Sequence, residues 1–408
     1  MTKSKCRIGK TDDLIKVCDL GVHEMCGFFP DNKLEELEKG SLALGWSPSS
    51  GLLQLIEERD VSSMYGENYG YRSGLNKSMI NHLERKVKYL TNFSNLSGDS
   101  CILDIGSNDG TLLSFYDERY MRVGIDPTIK KYSNYYKEGI IKVAKFFNSE
   151  SFFKASNNKK ADIITSISMF YDLPDPNDFV ENIKLVLSDN GIWNLEQSYM
   201  PSMLRTNSYD TICHEHLEYY SLIVIKNLLE KNSLRIVDVV FNRINGGSFS
   251  LTVCHKNASY LSNNTIINWM LSQEKRMGLD TPTPYRKFEN RAFMHRSDLK
   301  ELINSINSSG SKIGGYGAST KGNVILQFCG LDANDLFGIA EVNEDKFGKF
   351  TPGSRIPIQS ESVIKKENPD YLLVLPWHFR ETILKREEEY LRKGGKLIFP
   401  LPEIEIVG

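Results

Sequence analysis

The sequence predicts an α/β protein made of two parallel-sheet units behind a small irregular N-terminal module. Two observations predict the units. Twice a short apolar strand runs into a glycine-rich turn that opens onto a helix, at CILDIGSNDG (101–110) and at KIGGYGAST (312–320). Around each turn, short apolar strands alternate with helix-length segments: MRVGIDP, ADIITSISMF and GIWNLEQ in the first unit, LFGIAEVNE, YLLVLPW and KLIFPLP in the second. Such alternation builds a parallel sheet with helices on both faces. The third observation is the lack of this rhythm in residues 1–75, where turns near Gly9–Asp13, DLG, FFP and WSPSSG leave room only for short strands and loops.

Bulk properties bound the rest. A chain of 408 residues holds two to three domains, and 40% hydrophobic with 25% charged residues is enough to give each a core. Fifty basic residues against 52 acidic ones leave a net charge of −2, so no global field draws in nucleic acid or an anionic membrane. No apolar run is long enough for a membrane span, and the start MTKSKCRIGKTDD lacks a signal peptide's apolar segment, which leads us to expect a cytoplasmic protein. Seven scattered cysteines without a CxxC pair read as reduced thiols.

The expected order is an N-terminal module (1–75), a central unit (76–260), a helical linker (261–307) and a C-terminal unit (308–408). Met79, Ile80, Leu83, Val87 and Leu90 recur at helical spacing and lead into the central unit. Helices are expected after CILDIG to about Tyr116, after MRVGIDP, and from about Pro176 to Leu187. LRIVDVVFN and GGSFSLTVCHK are expected as later antiparallel strands.

The first turn suits a nucleoside. Gly106 lets a ligand approach the backbone, the turn residues Ser107, Asn108 and Gly110 open a helix-like N-terminus, and Asp126 ends the next strand about 20 residues on, where a carboxylate can accept ribose hydroxyls. Three glycines as GxGxxG would be needed for close passage of a pyrophosphate. The turn GSNDG has polar side chains there, which favours S-adenosylmethionine over NAD. Asp104 either touches the methionine amino group or caps the turn, and Phe146 with Phe147 either flanks adenine or belongs to the core.

At this point ILDIGSNDGTLL, NSYDTICHEHLEYYSL, NGGSFSLTVCHK and GGYGASTKGNVILQFCGL together resemble the NDP-sugar C-methyltransferase family over nearly the whole chain. The resemblance implies a zinc-binding N-terminal module, a central class I methyltransferase domain with a Rossmann-like sheet, and a C-terminal Rossmann-like domain that helps hold a nucleotide-linked sugar. Zinc in that family is held by two CxxC pairs. The matching stretches here are CRIG (Cys6–Gly9) and SPSS (Ser47–Ser50), so three of four thiolates are missing and no metal is expected.

The densest group of titratable side chains is Cys213-His214-Glu215-His216-Leu217-Glu218-Tyr219-Tyr220. His214 and His216 share a face only on a strand, which argues against a helical metal pair. The resemblance makes Glu215 and His216 catalytic. Independently, methylation of carbon beside a ketone requires loss of a weakly acidic C–H proton, and a neutral imidazole with its pKa near working pH can take it; His216 is the candidate base, and Glu215 orients it or binds a sugar hydroxyl. Cys213 stands where the family usually has a tyrosine, and Phe170-Tyr171 where it often has a histidine. Tyr71, or next to it Tyr69, matches a family tyrosine that reaches into the active site, the alternative being packing beside a glycine turn.

The second turn offers backbone N–H groups and one lysine to a diphosphate, although it is not a GxxxxGK[ST] loop. Tyr316, Lys321 and Asn323, with His214 and Tyr69, are expected on the sugar-nucleotide side, the alternative being a plain tight turn. Trp377-His378 ends another strand of that unit. The sequence therefore points to methyl transfer to a nucleotide-linked keto sugar at carbon. O-methylation on the same fold, an NAD-linked oxidoreductase and a non-catalytic binding protein are the competing readings.

Overall fold

The computed structural model describes residues 4–57 and 70–408, which form three sheets. The central sheet contains β4 (Cys101–Ile105), β5 (Met121–Ile125), β6 (Ile140–Val143), β7 (Ala161–Ile167), β8 (Leu187–Ser198), β10 (Leu234–Asn242) and β11 (Ser248–His255). Its order is β10-β11-β8-β7-β4-β5-β6, with β11 antiparallel to both neighbours and the other pairs parallel. The chain winds outward from β4 through β5 to β6, then returns to β7 on the other side. That reversal opens a crevice at the carboxyl ends of β4 and β7, where such sheets bind ligands.

The C-terminal sheet repeats the plan with β12 (Ile313–Tyr316), β13 (Ile339–Glu341), β14 (Ile358–Ser360), β15 (Tyr371–Val374), β16 (Lys396–Phe399) and β17 (Glu405–Val407), in the order β14-β13-β12-β15-β16-β17. Only β17 runs antiparallel, and the reversal falls between β12 and β15. The N-terminal module forms an antiparallel sheet of β1 (Ile15–Glu24), β2 (Lys39–Trp46) and β3 (Leu53–Leu55), completed by β9 (Glu218–Tyr219), which comes from the segment after HEH.

Local chemistry sets the helices. Asn76 caps the helix Lys77–Phe93 by accepting from Ser78 N–H, and Leu83, Val87 and Leu90 make its buried stripe. Asp175 accepts from the N–H groups of Asn177 and Asp178 to start Pro176–Val186, with proline in the first turn. Two expected helices are much shorter than the alternation suggests. After β4 there is only a 3-10 turn, Leu113–Phe115, and after β5 a four-residue helix, Ile129–Tyr132. The chain after β5 must double back because Tyr136 packs beneath the first glycine turn, its hydroxyl bonded to Ser107 Oγ (2.7 Å) and to the Asn108 carbonyl (3.0 Å).

The linker is more than a spacer. It forms the helices Asn264–Met277 and Thr283–Ser308, and the second buries Tyr285, Phe288, Ala292, Leu299 and Ile303. These residues share one continuous core with Val17, Leu42 and Trp46 of the N-terminal module and Val324, Leu372 and Ile398 of the C-terminal unit. Among the described residues no helix is long and apolar enough to cross a membrane.

Polar clamps fix the module against the C-terminal unit. Glu24 accepts both guanidinium arms of Arg355 (2.6 and 3.0 Å) and the Gly353 N–H (2.9 Å). Gln327 brackets the Glu24 backbone, accepting its N–H at 2.8 Å and donating to its carbonyl at 3.1 Å. Because removing one partner of a half-buried pair strands the other, Glu24→Ala should lower stability by about 2–3 kcal/mol. Urea unfolding of the two chains side by side measures this, and unchanged midpoints would show that the clamp is dispensable.

Candidate active site

The first glycine turn is held by a latch. Asp126, at the end of β5, accepts from Asn108 N–H through Oδ2 (2.9 Å), and from Thr128 N–H and Oγ1 through Oδ1 (2.6 Å each). A carboxylate offers about four lone-pair sites, so Asp126 has room for one ribose hydroxyl rather than the two expected from sequence. Ser107 and Asn108 are corrected as well. Ser107 Oγ is spent on Tyr136. The Asn108 amide donates to the Tyr71 carbonyl (3.1 Å) and accepts from Ser73 N–H (2.9 Å). Both side chains, and the Asn108 N–H, are thus engaged within the protein.

The sequence offered Tyr71 as a candidate, but not the bonds that tie the strap Tyr71–Gly74 to the first turn. Besides its bonds to Asn108, Gly74 N–H donates to Asp109 Oδ2 (2.9 Å), and the Arg72 guanidinium lies 3.9 Å from the Tyr135 ring centroid. The strap puts Tyr71, 46% exposed, beside the turn. Tyr69 lies outside the described residues. Asp104 is buried on β4 with Thr165 Oγ1 donating to it (2.5 Å), and burial pushes its pKa up to about 7. Of the aromatic pair after β6, Phe147 turns inward against Phe179, and Phe146 is left 51% exposed at the crevice side of the sheet.

The HEH segment is threaded between all three units. Its β9 pairs with β3, Leu53 facing Tyr219 and Gln54 facing Glu218. Arg7 of the N-terminal module donates to the carbonyls of Leu55 (2.9 Å) and Leu217 (3.3 Å). His216 Nδ1–H donates to the Thr211 carbonyl (2.8 Å), which fixes the tautomer and leaves Nε2 as the ring's acceptor. The Tyr171 ring meets the imidazole edge-on, with centroids 4.3 Å apart. Burial, and then the positive charge of Lys321, hold its pKa down at about 3, against a weaker opposing effect of the Thr211 bond. This departs from the expectation of a pKa near working pH, because the sequence does not show how fully the ring is buried or that the charge of a lysine of the other unit reaches it.

Glu215 is wedged against Gly27, where a Cβ would lie 2.1 Å from Oε1. Its Oε2 is buried with no hydrogen-bond partner among the described residues, and burial raises its pKa. Cys213 is fully buried and hydrogen-bonds Glu215, and burial, with Glu215 beside it, pushes its thiol pKa well up, away from a reactive thiolate. His214 is likewise corrected. It is buried with Nε2–H on the Gly40 carbonyl (3.3 Å) and Nδ1 accepting from Cys26 N–H (3.5 Å), so it ties the N-terminal module down and presents neither ring nitrogen to a substrate.

In the second unit, Glu341 at the end of β13 latches the glycine turn as Asp126 does the first. It accepts from Ala318 N–H (2.8 Å), Val342 N–H (2.7 Å) and Asn343 N–H (2.9 Å). Lys321, in the first turn of the helix Thr320–Phe328, faces the first unit closely enough that its charge lowers the pKa of His216, Asp210 and His378, in each case alongside burial, which lowers the histidines but raises the carboxylate. Tyr316 and Asn323 point elsewhere. Tyr316 donates to buried Glu387 (3.1 Å) inside its own unit, and the Asn323 amide donates to the Cys26 carbonyl (2.7 Å). Trp377 Nε1–H donates to buried Asp210 (2.8 Å), which draws the His378-bearing turn against the segment that carries His216. Asp210 lies inside the NSYDTICHEHLEYYSL stretch, but nothing in the sequence singled it out or paired it with Trp377.

Gly110 has φ +75°, and a Cβ there would lie 2.7 Å from the Tyr136 ring. Gly110→Ala should therefore distort the latch and weaken S-adenosylmethionine binding at least about tenfold by calorimetry, a loss of about 1.4 kcal/mol. Retained affinity would mean that the ligand does not use this turn.

Two family models match the chain in sequence order. Residues 75–239 match the family model described as a methyltransferase domain, and residues 243–402 the one described as a C-methyltransferase C-terminal domain. The chain is 30% identical over 357 residues to the C-methyltransferase NovU of Streptomyces niveus, covering 87% of this chain and 84% of the relative. Among solved structures, the plantazolicin methyltransferase BpumL with SAH aligns at TM-score 0.34 and 14% identity over 43% of this chain and 83% of its own. The magnesium protoporphyrin IX methyltransferase ChlM from Synechocystis PCC 6803 with bound SAH aligns at 0.34 and 12% over 47% and 91%. From the near full-length relationship and the paired family models, the chain belongs to the C-methyltransferase family and is an S-adenosylmethionine-dependent enzyme.

Proposed function

We propose that the methyl acceptor is a nucleotide-linked keto sugar, methylated at the carbon beside its carbonyl, with His216 as the base. The observation that carries this reading is a neutral imidazole locked by the Thr211 carbonyl, with Nε2 as its acceptor, next to a buried carboxyl group and under the influence of a lysine from the second unit. S-adenosylmethionine, when bound at the first turn, supplies an electrophilic methyl group. The chain's own work is to remove a C–H proton onto Nε2 and to hold the electron pair left on carbon in line with that methyl.

Glu215 has a stated part in this. Its raised pKa favours the protonated carboxyl, which donates a hydrogen bond to a sugar oxygen. The duplicated latch supports a nucleotide-linked acceptor, since the turn after β12 combines backbone latched by a carboxylate with Lys321, as the first turn combines latched backbone with Asp126. An anionic diphosphate beside Lys321 would offset its charge and raise the basicity of His216, so substrate binding itself would arm the base.

Products from methyl-labelled S-adenosylmethionine and a panel of nucleotide-linked 4-keto and non-keto sugars test the acceptor by NMR. The expected signal is a methyl on a former C–H carbon of a keto sugar; a methoxy signal, or no transfer to any sugar, would overturn the proposal. His216→Ala should lower kcat by roughly 10²- to 10⁴-fold with S-adenosylmethionine affinity unchanged.

The electrostatic coupling has a signed consequence. Because Lys321 lowers the His216 pKa, Lys321→Met should raise it, and the free enzyme then loses its neutral imidazole at a higher pH. The acid limb of kcat/KM should move to higher pH than in the parent chain. A limb that stays in place, or moves down, contradicts the coupling.

A further inference from the structure

The resemblance seen in the sequence implies a metal in the N-terminal module, and the residues there can be tested for fit. Positions 6, 9, 47 and 50 do converge. Cys6 Sγ lies 3.1 Å from Ser50 Oγ and accepts from Gly9 N–H at 3.2 Å. A Cβ built on Gly9 would lie 3.4 Å from Cys6 Sγ. Both stretches are tight turns closed by backbone bonds, Lys10 N–H to the Cys6 carbonyl (2.7 Å) and Gly51 N–H to the Ser47 carbonyl (2.8 Å).

The donor set does not fit zinc. One thiol, two neutral hydroxyls and a glycine cannot supply four tetrahedral ligands, and among the described residues no three His, Cys, Asp or Glu side chains are grouped to hold a metal. What joins the turns instead is a carboxylate, which reaches the first turn through Thr11, whose carbonyl accepts from Cys6 N–H (2.8 Å). Asp13 accepts from Thr11 Oγ1 (2.6 Å), from Ser47 Oγ through both oxygens (2.9 and 3.0 Å) and from Ser49 N–H (2.9 Å).

We propose that Asp13 cross-links the two turns in the manner of a structural metal, so that the module folds metal-free while keeping the backbone geometry of a four-cysteine site. Each bond joins a charged acceptor to a neutral donor, the stronger class of hydrogen bond. The cross-link also has a reach beyond the turns. Arg7, inside the first turn, takes Gln54 Oε1 on its own N–H (2.8 Å) and caps the Leu55 and Leu217 carbonyls, so the turn pair sets the β3–β9 junction next to His216.

The test reads metal content and backbone protection, not turnover. The full-length chain purified without chelator should carry no stoichiometric zinc by mass spectrometry, and a strong chelator should leave amide exchange unchanged. Asp13→Ala should speed exchange at Ser49 by roughly ten- to a hundredfold, the loss of one charge-assisted bond. The triple substitution Gly9→Cys, Ser47→Cys and Ser50→Cys rebuilds four thiolates with Cys6, and after loading it should bind one zinc per chain. One zinc per chain in the parent, removed by chelator with faster exchange, would overturn the proposal. So would Asp13→Ala with unchanged protection, or a folded triple variant that binds no zinc.

Discussion

The pairing of β3 with β9 is the constraint on which the rest depends. The two residues of β9 follow the HEH segment after Leu217, and they belong to a sheet whose other strands come from the N-terminal module. A loop bearing catalytic side chains over a sheet edge would ordinarily be mobile. Here its backbone is hydrogen-bonded on one side to β3 and capped by Arg7, and its side chains are anchored by Gly40, Cys26 and Thr211. The module thus acts as the wall that holds the chemistry in place, which explains why it shares a core with the C-terminal unit and not merely a linker.

A second regularity is electrostatic. Each glycine turn is latched by an acid from the next strand, Asp126 to Asn108 N–H and Glu341 to Ala318 N–H. Each acid thereby shapes a concave backbone that can meet a polar ligand, and Lys321 adds a positive charge that both units feel. Burial raises Glu215 and Asp210 and lowers His216 and His378, so in the ligand-free protein the cleft's acids lean toward their protonated forms and its histidines toward neutral ones.

Much of this could be read from the sequence because period and punctuation are local. The strand-turn-helix pattern at 101–110 and 312–320 located both units, the antiparallel character of the late strands followed from their position, and the HEH cluster stood out by density alone. What failed was non-local. Tyr136 folding under Gly110 shortened two helices, and nothing near either element announces it. His214, Tyr316 and the amide N–H of Asn323 look like ligands of a substrate in their motifs, yet each is used in a contact across a unit boundary or inside a core. The bonds made by the strap Tyr71–Gly74 and by Asp210 were not legible although both stretches drew notice in the sequence, since their partners lie 35 and 167 positions away.

The most direct test of the central claim is proton removal observed without methyl transfer. The enzyme would be incubated in deuterated water with S-adenosylhomocysteine and a nucleotide-linked keto sugar, and exchange at the carbon beside the carbonyl followed by NMR. The account predicts deuterium incorporation with the parent chain and its loss in His216→Ala. Equal exchange in both would contradict the assignment of His216 as the base that the β3–β9 junction holds in place.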